Sequence, residues 1–320
     1  MKRLNRTAAD VLSMLRDQEA PLSGEEMAGR LSLSRTAIWK AVASLRQEAF
    51  VIQGVHKAGY LLQEESPELS PAGIGSALSS FWKDLDVITY DQVTSTNSLA
   101  KERAGEGGSF LLAAGEQTLG RGRRGRGFFS PPESGIYFSL AFPWKREEAP
   151  VLLTTMAAVA AARVLDRTFG KEVAIKWVND LFLDDRKIAG ILTEAVTDLE
   201  TGSAVFIVLG LGINIHPPAE GFPDGLKGIA GSLLDDQVPF SRNLLIARIV
   251  NELGRIMEEL PARDYLEEYK RRCFILGREI LLSTGQRVTA RDISDEGALI
   301  AEGGEGLMEL SSGEISLVEF

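Results

Sequence analysis

Cysteine occurs once in this 320-residue chain, at Cys273, and histidine only twice, at His56 and His216. A single thiol cannot close an internal disulfide, and without a cysteine pair a zinc cluster is disfavoured. So little imidazole also argues against histidine-based acid–base chemistry, which leaves charge stabilisation as the main catalytic resource if the protein is an enzyme. Long apolar runs are missing as well. The longest, near 151–162 and 204–213, fall short of the roughly 18 residues that span a bilayer. The start, Met1-Lys2-Arg3, is basic, but Asp10, Arg16 and Asp17 interrupt the next stretch, so no signal-peptide core forms. Internal repeats and low-complexity tracts are absent too. A cytoplasmic protein without a membrane partner is expected.

What is present is an ample core, 44% hydrophobic residues, and enough length for two or three domains. The formal net charge is -10, yet residues 120–126 read Gly-Arg-Gly-Arg-Arg-Gly-Arg. Glycine lets backbone approach a ligand closely, and arginine carries a permanent charge on a planar fork matched to phosphate. A polyphosphate ligand is the expectation, against the blander reading of a solvated charged turn.

Gly120, Gly122 and Gly125 match G-x-G-x-x-G literally, but a dinucleotide fingerprint needs a helix to open at the third glycine. Here Ser130-Pro131-Pro132 comes soon after, and paired prolines forbid that helix. No Gly-Lys-Ser/Thr ending exists either, which excludes a P-loop.

Residues 1–65 hold nine Lys/Arg against eight Asp/Glu, so the acidity lies in the rest of the chain. Ala8, Val11, Leu12 and Leu15 recur at helical spacing within 7–19. Ser23-Gly24-Glu25-Glu26 is a capping-box pattern opening a second helix through Leu31, and Ser34 caps a third with Ile38, Val42 and Leu45 on its buried face. A tight turn at Leu31-Ser32-Leu33 makes this a helix-turn-helix, and Phe50–Gln53 with Tyr60–Leu62 form a hairpin wing around residues 54–59. Arg35, Thr36, Trp39 and Lys40 on the third helix and Lys57 in the wing are the candidate DNA contacts. A three-helix protein-interaction module would share the helical pattern.

Residues 63–73, with two Ser-Pro steps, read as a linker. From about 74 to 270 strands alternate with helices. Strands are expected at 87–90, 110–114, 135–141, 173–177, 190–196 and 205–215, and helices near 95–104, 150–169 and 241–260. Composition alone gives an α/β or α+β domain. The last stretch, 274–320, is cut by Ser283-Thr284-Gly285, Ser294-Asp295-Glu296-Gly297, Glu302–Gly306 and Ser311-Ser312-Gly313 into short strands, the pattern of a small β-barrel.

Polar clusters sit at the ends of the central strands: Ser95-Thr96-Asn97, Gln117, Lys176-Trp177-Val178-Asn179-Asp180, Lys187-Ile188-Ala189-Gly190 and Gly210-Leu211-Gly212-Ile213-Asn214. The glycines of the last cluster mark places where something lies against the backbone. Taken in this order with the winged helix, the arginine–glycine loop and a terminal Gly-Glu-Ile-Ser-Leu, these clusters resemble the biotin-protein ligases, specifically the bifunctional form that is also a biotin operon repressor. The resemblance spans essentially the whole chain. It departs at Val178, where proline is common, and at Phe128, where tryptophan is common.

The resemblance implies an α+β multidomain protein: a winged helix over 1–65, a class II synthetase-like mixed-sheet catalytic domain over 66–272 and an SH3-like barrel over 273–320. It implies a ligase that forms biotinyl-5'-AMP from biotin and ATP with Mg²⁺, then passes biotin to a lysine of biotin carboxyl carrier protein. It also implies an adenylate-bound homodimer on operator DNA. Ser95, Thr96, Asn97, Gln117 and the segment Arg121-Gly122-Arg123 match the biotin-contacting positions. Lys187 is assigned to the biotin carboxyl and α-phosphate, and Arg121 and Arg123 to the phosphates and to closing the loop. Asp180 would hold Mg²⁺ or orient a lysine, and Lys176, Asn179, Phe129 and Asn214 would serve the nucleotide. For Lys176, Trp177 and Asn214 a buried structural network is an equal reading. Three alternatives stand beside this one: a ligase with a non-repressing winged helix, a non-catalytic ligand-sensing transcription factor, and a lipoate ligase, against which the arginine–glycine loop argues.

Overall fold

A computed structural model describes residues 1–144, 150–197, 204–236, 238–260, 262–304, 306–311 and 315–317. The chain opens on a two-residue strand, β1 (Lys2–Arg3), followed by α1 (Arg6–Arg16), α2 (Gly24–Leu31), α3 (Arg35–Gln47) and the hairpin β2 (Val51–Val55) and β3 (Gly59–Glu64). The caps explain where the helices begin. The Asn5, Ser23 and Ser34 side chains accept from the backbone N–H three residues on, the bonds that satisfy a helix's orphan donors. Ser32, at φ 54°, reverses the chain between α2 and α3. Leu12, Leu15, Ile38, Val42 and Leu45 meet in one core, and the Arg46 guanidinium donates to the Ile52 carbonyl, tying α3 to the wing.

The segment expected to be a linker is packed instead. It runs into α4 (Pro71–Gly75), and Ser66, Leu69, Ser70, Ala72 and Ile74 are buried. Next come β4 (Asp86–Val93), α5 (Thr96–Arg103), β5 (Phe110–Gln117), β6 (Gly135–Pro143) and α6 (Pro150–Phe169). After them lie β7 (Ala174–Lys176), β8 (Asp180–Leu183), β9 (Arg186–Thr197), β10 (Ala204–Asn214), α7 (Arg242–Glu258) and α8 (Tyr265–Arg272). The buried Asn243 of α7 explains the lost linker: its Oδ1 accepts from Ser70 N at 2.9 Å and its Nδ2 donates to Glu68 O at 2.9 Å. Arg16 of α1 adds an ion pair to Glu65 at 2.5 Å and a bond to Ser76 Oγ at 2.6 Å.

The central sheet has eight strands in the order β1-β4-β5-β6-β10-β9-β8-β7. Among them β4 and β5 run parallel and the other neighbours antiparallel, so the class is α+β with a mixed sheet. β1 belongs to this sheet, through Lys2 opposite Thr89 and Arg3 opposite Ile88, although its residues fall within the stretch assigned to the winged helix. Strand alternation sorts the side chains. Leu111 and Ala113 face the main core with α6 and α7, while Phe110 and Leu112 face a smaller cluster with Ala100 of α5.

The C-terminal unit is a small antiparallel sheet of β11 (Glu279–Leu282), β12 (Arg287–Ile293), β13 (Leu299–Gly303), β14 (Gly306–Leu310) and β15 (Ile315–Leu317), ordered β14-β13-β12-β11-β15. Glu305 and Ser312–Glu314, which belong to the expected turns and the terminal motif, lie outside the described residues. Among the described residues no helix is long and apolar enough to cross a membrane.

Candidate active site

The alternation that sends Ala189, Leu209 and Ile213 into the core turns Gly190, Leu192, Gly210 and Gly212 to the opposite face, where they floor a cavity of about 400 Å³. What lies against these glycines is the protein's own side chains. A Cβ on Gly210 would stand 2.0 Å from Asn97 Oδ1, and one on Gly212 would stand 2.4 Å from the Phe128 ring.

One wall is polar and comes from the N-terminus of α5 and the end of β5. Ser95 caps α5, accepting from Ser98 N at 3.4 Å. Gln117 Oε1 accepts from Thr96 N at 2.8 Å and from Thr96 Oγ1 at 3.1 Å. Asn97 is fully engaged: Nδ2 donates to Leu192 O at 3.1 Å and to Glu194 Oε2 at 3.0 Å, and Oδ1 lies 2.6 Å from Ser139 Oγ. Glu194 also pairs with Lys101 at 2.7 Å. Burial pushes the Glu194 carboxyl up, but the bonds from Lys101 and Asn97 and the charges of Lys101 and Arg121 outweigh it and hold the pKa below the usual carboxylate range. Asn97 is thus the keystone of the wall and has no donor left to offer.

The other wall is cationic. The arginine–glycine loop is a folded hairpin: Gly122 N donates to Arg126 O at 2.7 Å, Phe128 N donates to Gly120 O at 2.8 Å, and Arg124 and Gly125 take positive φ at the tip. Arg121, Gly122 and Arg123 line the cavity, together with Arg124 and Arg126. Arg121 donates to Ser98 Oγ at 3.3 Å and Arg123 to Asn179 Oδ1 at 3.3 Å. Asn179 Nδ2 in turn donates to Ile191 O at 2.9 Å. Across the β8–β9 turn Lys187 Nζ lies 2.7 Å from Asp180 Oδ1, and Lys176 reaches the same space over the Phe182 ring. Asp180 is the single carboxylate among the described lining residues, and no group of three His, Cys, Asp or Glu side chains able to hold a metal occurs among the described residues.

The cavity therefore collects Ser95, Thr96, Asn97, Gln117, Arg121, Gly122, Arg123, Lys176, Asn179, Asp180 and Lys187. Two expected members stand apart. Phe129 packs against Phe222 at 6.5 Å and Phe128 takes the place at the cavity, because adjacent residues of an extended segment point to opposite sides. Asn214 is buried behind the site, where Nδ2 donates to Gly231 O at 3.0 Å. Trp177 does both: it lines the cavity and donates to Gly297 O at 3.1 Å in the C-terminal unit. Sequence reasoning missed Phe182, Gly225, Leu226, Ile229 and Ile315 in the lining. Only the apolar character of Leu226 and Ile229 within a polar loop gave any signal.

The winged helix presents a second candidate surface. Arg35, Thr36, Trp39 and Lys40 are all exposed on α3, and Lys57 is exposed at the wing tip. Trp39 is 59% exposed, which no core role explains.

Three family models match in chain order: an HTH domain over residues 7–61, the biotin/lipoate A/B protein ligase family over 90–214 and the biotin protein ligase C terminal domain over 275–318. The bifunctional ligase/repressor BirA of Escherichia coli is 31% identical over 314 residues, covering 92% of this chain and 92% of that protein. Its Bacillus subtilis counterpart is 30% identical over 313 residues, covering 92% and 94%. Among solved structures, the biotin protein ligase from Aquifex aeolicus in complex with biotin and ATP aligns with a TM-score of 0.60 at 25% identity, covering 73% of this chain and 99% of that one. With the winged helix, the ligase sheet and the C-terminal unit in one order and near-complete overlap with such relatives, the chain belongs to the biotin protein ligase family, in its bifunctional ligase/repressor form.

Proposed function

We propose that the cavity joins biotin to ATP and that the chain couples this chemistry to repression through its winged helix. The observation that carries the reading is convergence: a hydrogen-bonding wall suited to a small polar ring faces a cationic wall suited to phosphate, within one cavity. Ser95, Thr96 and Gln117 hold the ureido ring, where each unmet polar group costs about 1–3 kcal/mol and so rejects analogues lacking it. The carboxylate of biotin attacks the α-phosphorus of ATP, the bond to the β-phosphate oxygen breaks, and pyrophosphate leaves. Two anions must approach and charge spreads over the transferring phosphoryl group, so Lys187, Arg121 and Arg123 stabilise the transition state electrostatically. Asp180 orients Lys187, and Lys176 and Asn179 serve the nucleotide.

In the second step the ε-amine of a carrier-protein lysine attacks the acyl carbon, and AMP leaves with the former anhydride oxygen. Mg²⁺ would supply further charge neutralisation on the phosphates. Asp180 offers it one carboxylate, and phosphate oxygens and water would complete its shell.

The division of labour is 1–65 for DNA, apart from β1, which joins the ligase sheet, 66–272 for catalysis and 273–320 for the C-terminal unit. Arg35, Thr36, Trp39, Lys40 and Lys57 meet the operator. Two winged helices on a two-fold operator require a homodimer, formed when the adenylate is bound. ATP and the apo-carrier place this work in the cytoplasm. The test is transfer of labelled biotin to a purified carrier domain with and without ATP. ATP-dependent labelling of one lysine is expected, and none with ATP present sinks the ligase reading. Operator binding with biotin and ATP at fixed salt tests the repressor role separately.

A further inference from the structure

We propose that Ser130 is a positioning residue that staples the neck of the arginine–glycine loop to the wall that holds the vitamin ring, an inference that rests on reading the cavity as the site of biotin adenylation. Ser130 is buried, and its hydroxyl accepts from Gln117 Nε2 at 2.9 Å while donating to Phe128 O at 3.0 Å. Its carbonyl accepts from Gln117 N at 3.0 Å. Gln117 turns its other side-chain atom, Oε1, to the Thr96 backbone, so the amide is oriented from both ends. One Nε2 hydrogen is spent on Ser130, and the second has no acceptor among the described residues although Gln117 lines the cavity. The wall thereby offers a donor to a ligand carbonyl.

The same hydroxyl fixes the exit of the loop. Phe128, whose carbonyl Ser130 holds, rests its ring on Gly190 and Gly212 at the cavity floor. Gly120, at the entrance, is pinned opposite: a Cβ there would stand 2.3 Å from Phe128 O and 2.8 Å from Ser130 Oγ. Only the tip, Gly122 to Arg126, lies beyond this neck. Seating the ring and anchoring the lid are therefore one device, with Ser130 at its centre. Losing the hydroxyl leaves the Gln117 amide held at its Oε1 end alone and the Phe128 carbonyl without its donor.

The test compares full-length wild type with Ser130→Ala and with the near-isosteric Ser130→Cys, whose thiol is a poor hydrogen-bonding group. Biotin-dependent pyrophosphate exchange and labelling of a bystander protein are measured, with thermal unfolding as a check on folding. Both variants are expected to raise KM for biotin by roughly five- to tenfold and bystander labelling by a similar factor, with KM for ATP and kcat within about twofold. Unchanged values in Ser130→Ala overturn the proposal, as does a Ser130→Cys protein that behaves as wild type, since packing would then suffice. Absence of exchange in the wild type sinks the ligase reading instead, so the two failures are distinguishable.

Discussion

Asp180 Oδ1 and Lys187 Nζ stand 2.7 Å apart across the turn between β8 and β9, at the mouth of the arginine-lined cavity. The ion pair fixes the ammonium, and the Lys187 backbone is bonded to Ile229 O at 2.9 Å and to Gly231 N at 2.9 Å. A preorganised ammonium acts where charge develops and needs no reorganisation during reaction. Lys187→Ala is expected to lower biotin-dependent pyrophosphate exchange by about 10²–10³-fold while biotin affinity falls far less. Asp180→Asn keeps the cation and loses its orientation, so its rate should lie between the two. Exchange at the wild-type level in Lys187→Ala would remove the residue from the mechanism.

Arg123 joins the loop to the far side of the site through Asn179 Oδ1 at 3.3 Å. A mixed anhydride is hydrolysed unless water is kept away, and a closed loop excludes it. Arg123→Gly removes the charged contact and loosens the backbone, so the adenylate should escape and acylate unrelated lysines. Non-specific biotinylation is expected to rise by roughly 10- to 100-fold, the equivalent of losing a charge-assisted hydrogen bond. Equal labelling by wild type and variant refutes the lid role.

Elements whose signals are local were legible in the sequence. The expected helix at 150–169 is α6, and Ser23 and Ser34 cap α2 and α3 as their spacing requires. What escaped depends on partners remote in the chain. Residues 63–73 have linker composition, yet Asn243, some 170 positions away, supplies the bonds that bury them. β8 spans only four residues between charged ends, too short for a periodic pattern. At the site, residue types pointed to phosphate and the family resemblance to a polar ring, but neither told which of two neighbouring phenylalanines turns inward, nor that Asn97 and Phe128 occupy the space above Gly210 and Gly212. Register and tertiary packing decide those points.

The winged helix yields a prediction from counterion release. Each phosphate neutralised by a cation adds about 0.9 to the magnitude of the slope of log K against log salt. Arg35 and Lys40 are both exposed on α3, so Arg35→Ala with Lys40→Ala should reduce the slope for operator binding by nearly 2. Trp39→Ala should weaken operator binding with little change in Tm, because the ring is already 59% exposed. The readout is a set of binding titrations at several salt concentrations, and an unaltered slope argues against phosphate contact by this face.

Acid sensitivity arises at Glu252 of α7, which is buried and receives Arg255 at 2.7 Å and Arg163 at 2.9 Å, with Arg167 at 3.4 Å. Burial raises its pKa, but the bonds from Arg255 and Arg163 outweigh that and leave it lowered. Glu268, bonded to Arg163 and Arg272, behaves alike. A carboxylate whose pKa is lower folded than unfolded contributes stability that is complete above the unfolded value, near 4.5, and disappears as pH falls through the folded value. Glu252→Gln removes that contribution and leaves three guanidinium groups facing a neutral amide. Urea denaturation at pH 7 should show a loss of about 2–3 kcal/mol. The gap should narrow as the pH is lowered below the unfolded value, near 4.5, and through the still lower folded value, where wild-type Glu252 itself takes up a proton. A difference that stays constant all the way down to acid unfolding would mean the glutamate acts through shape rather than charge.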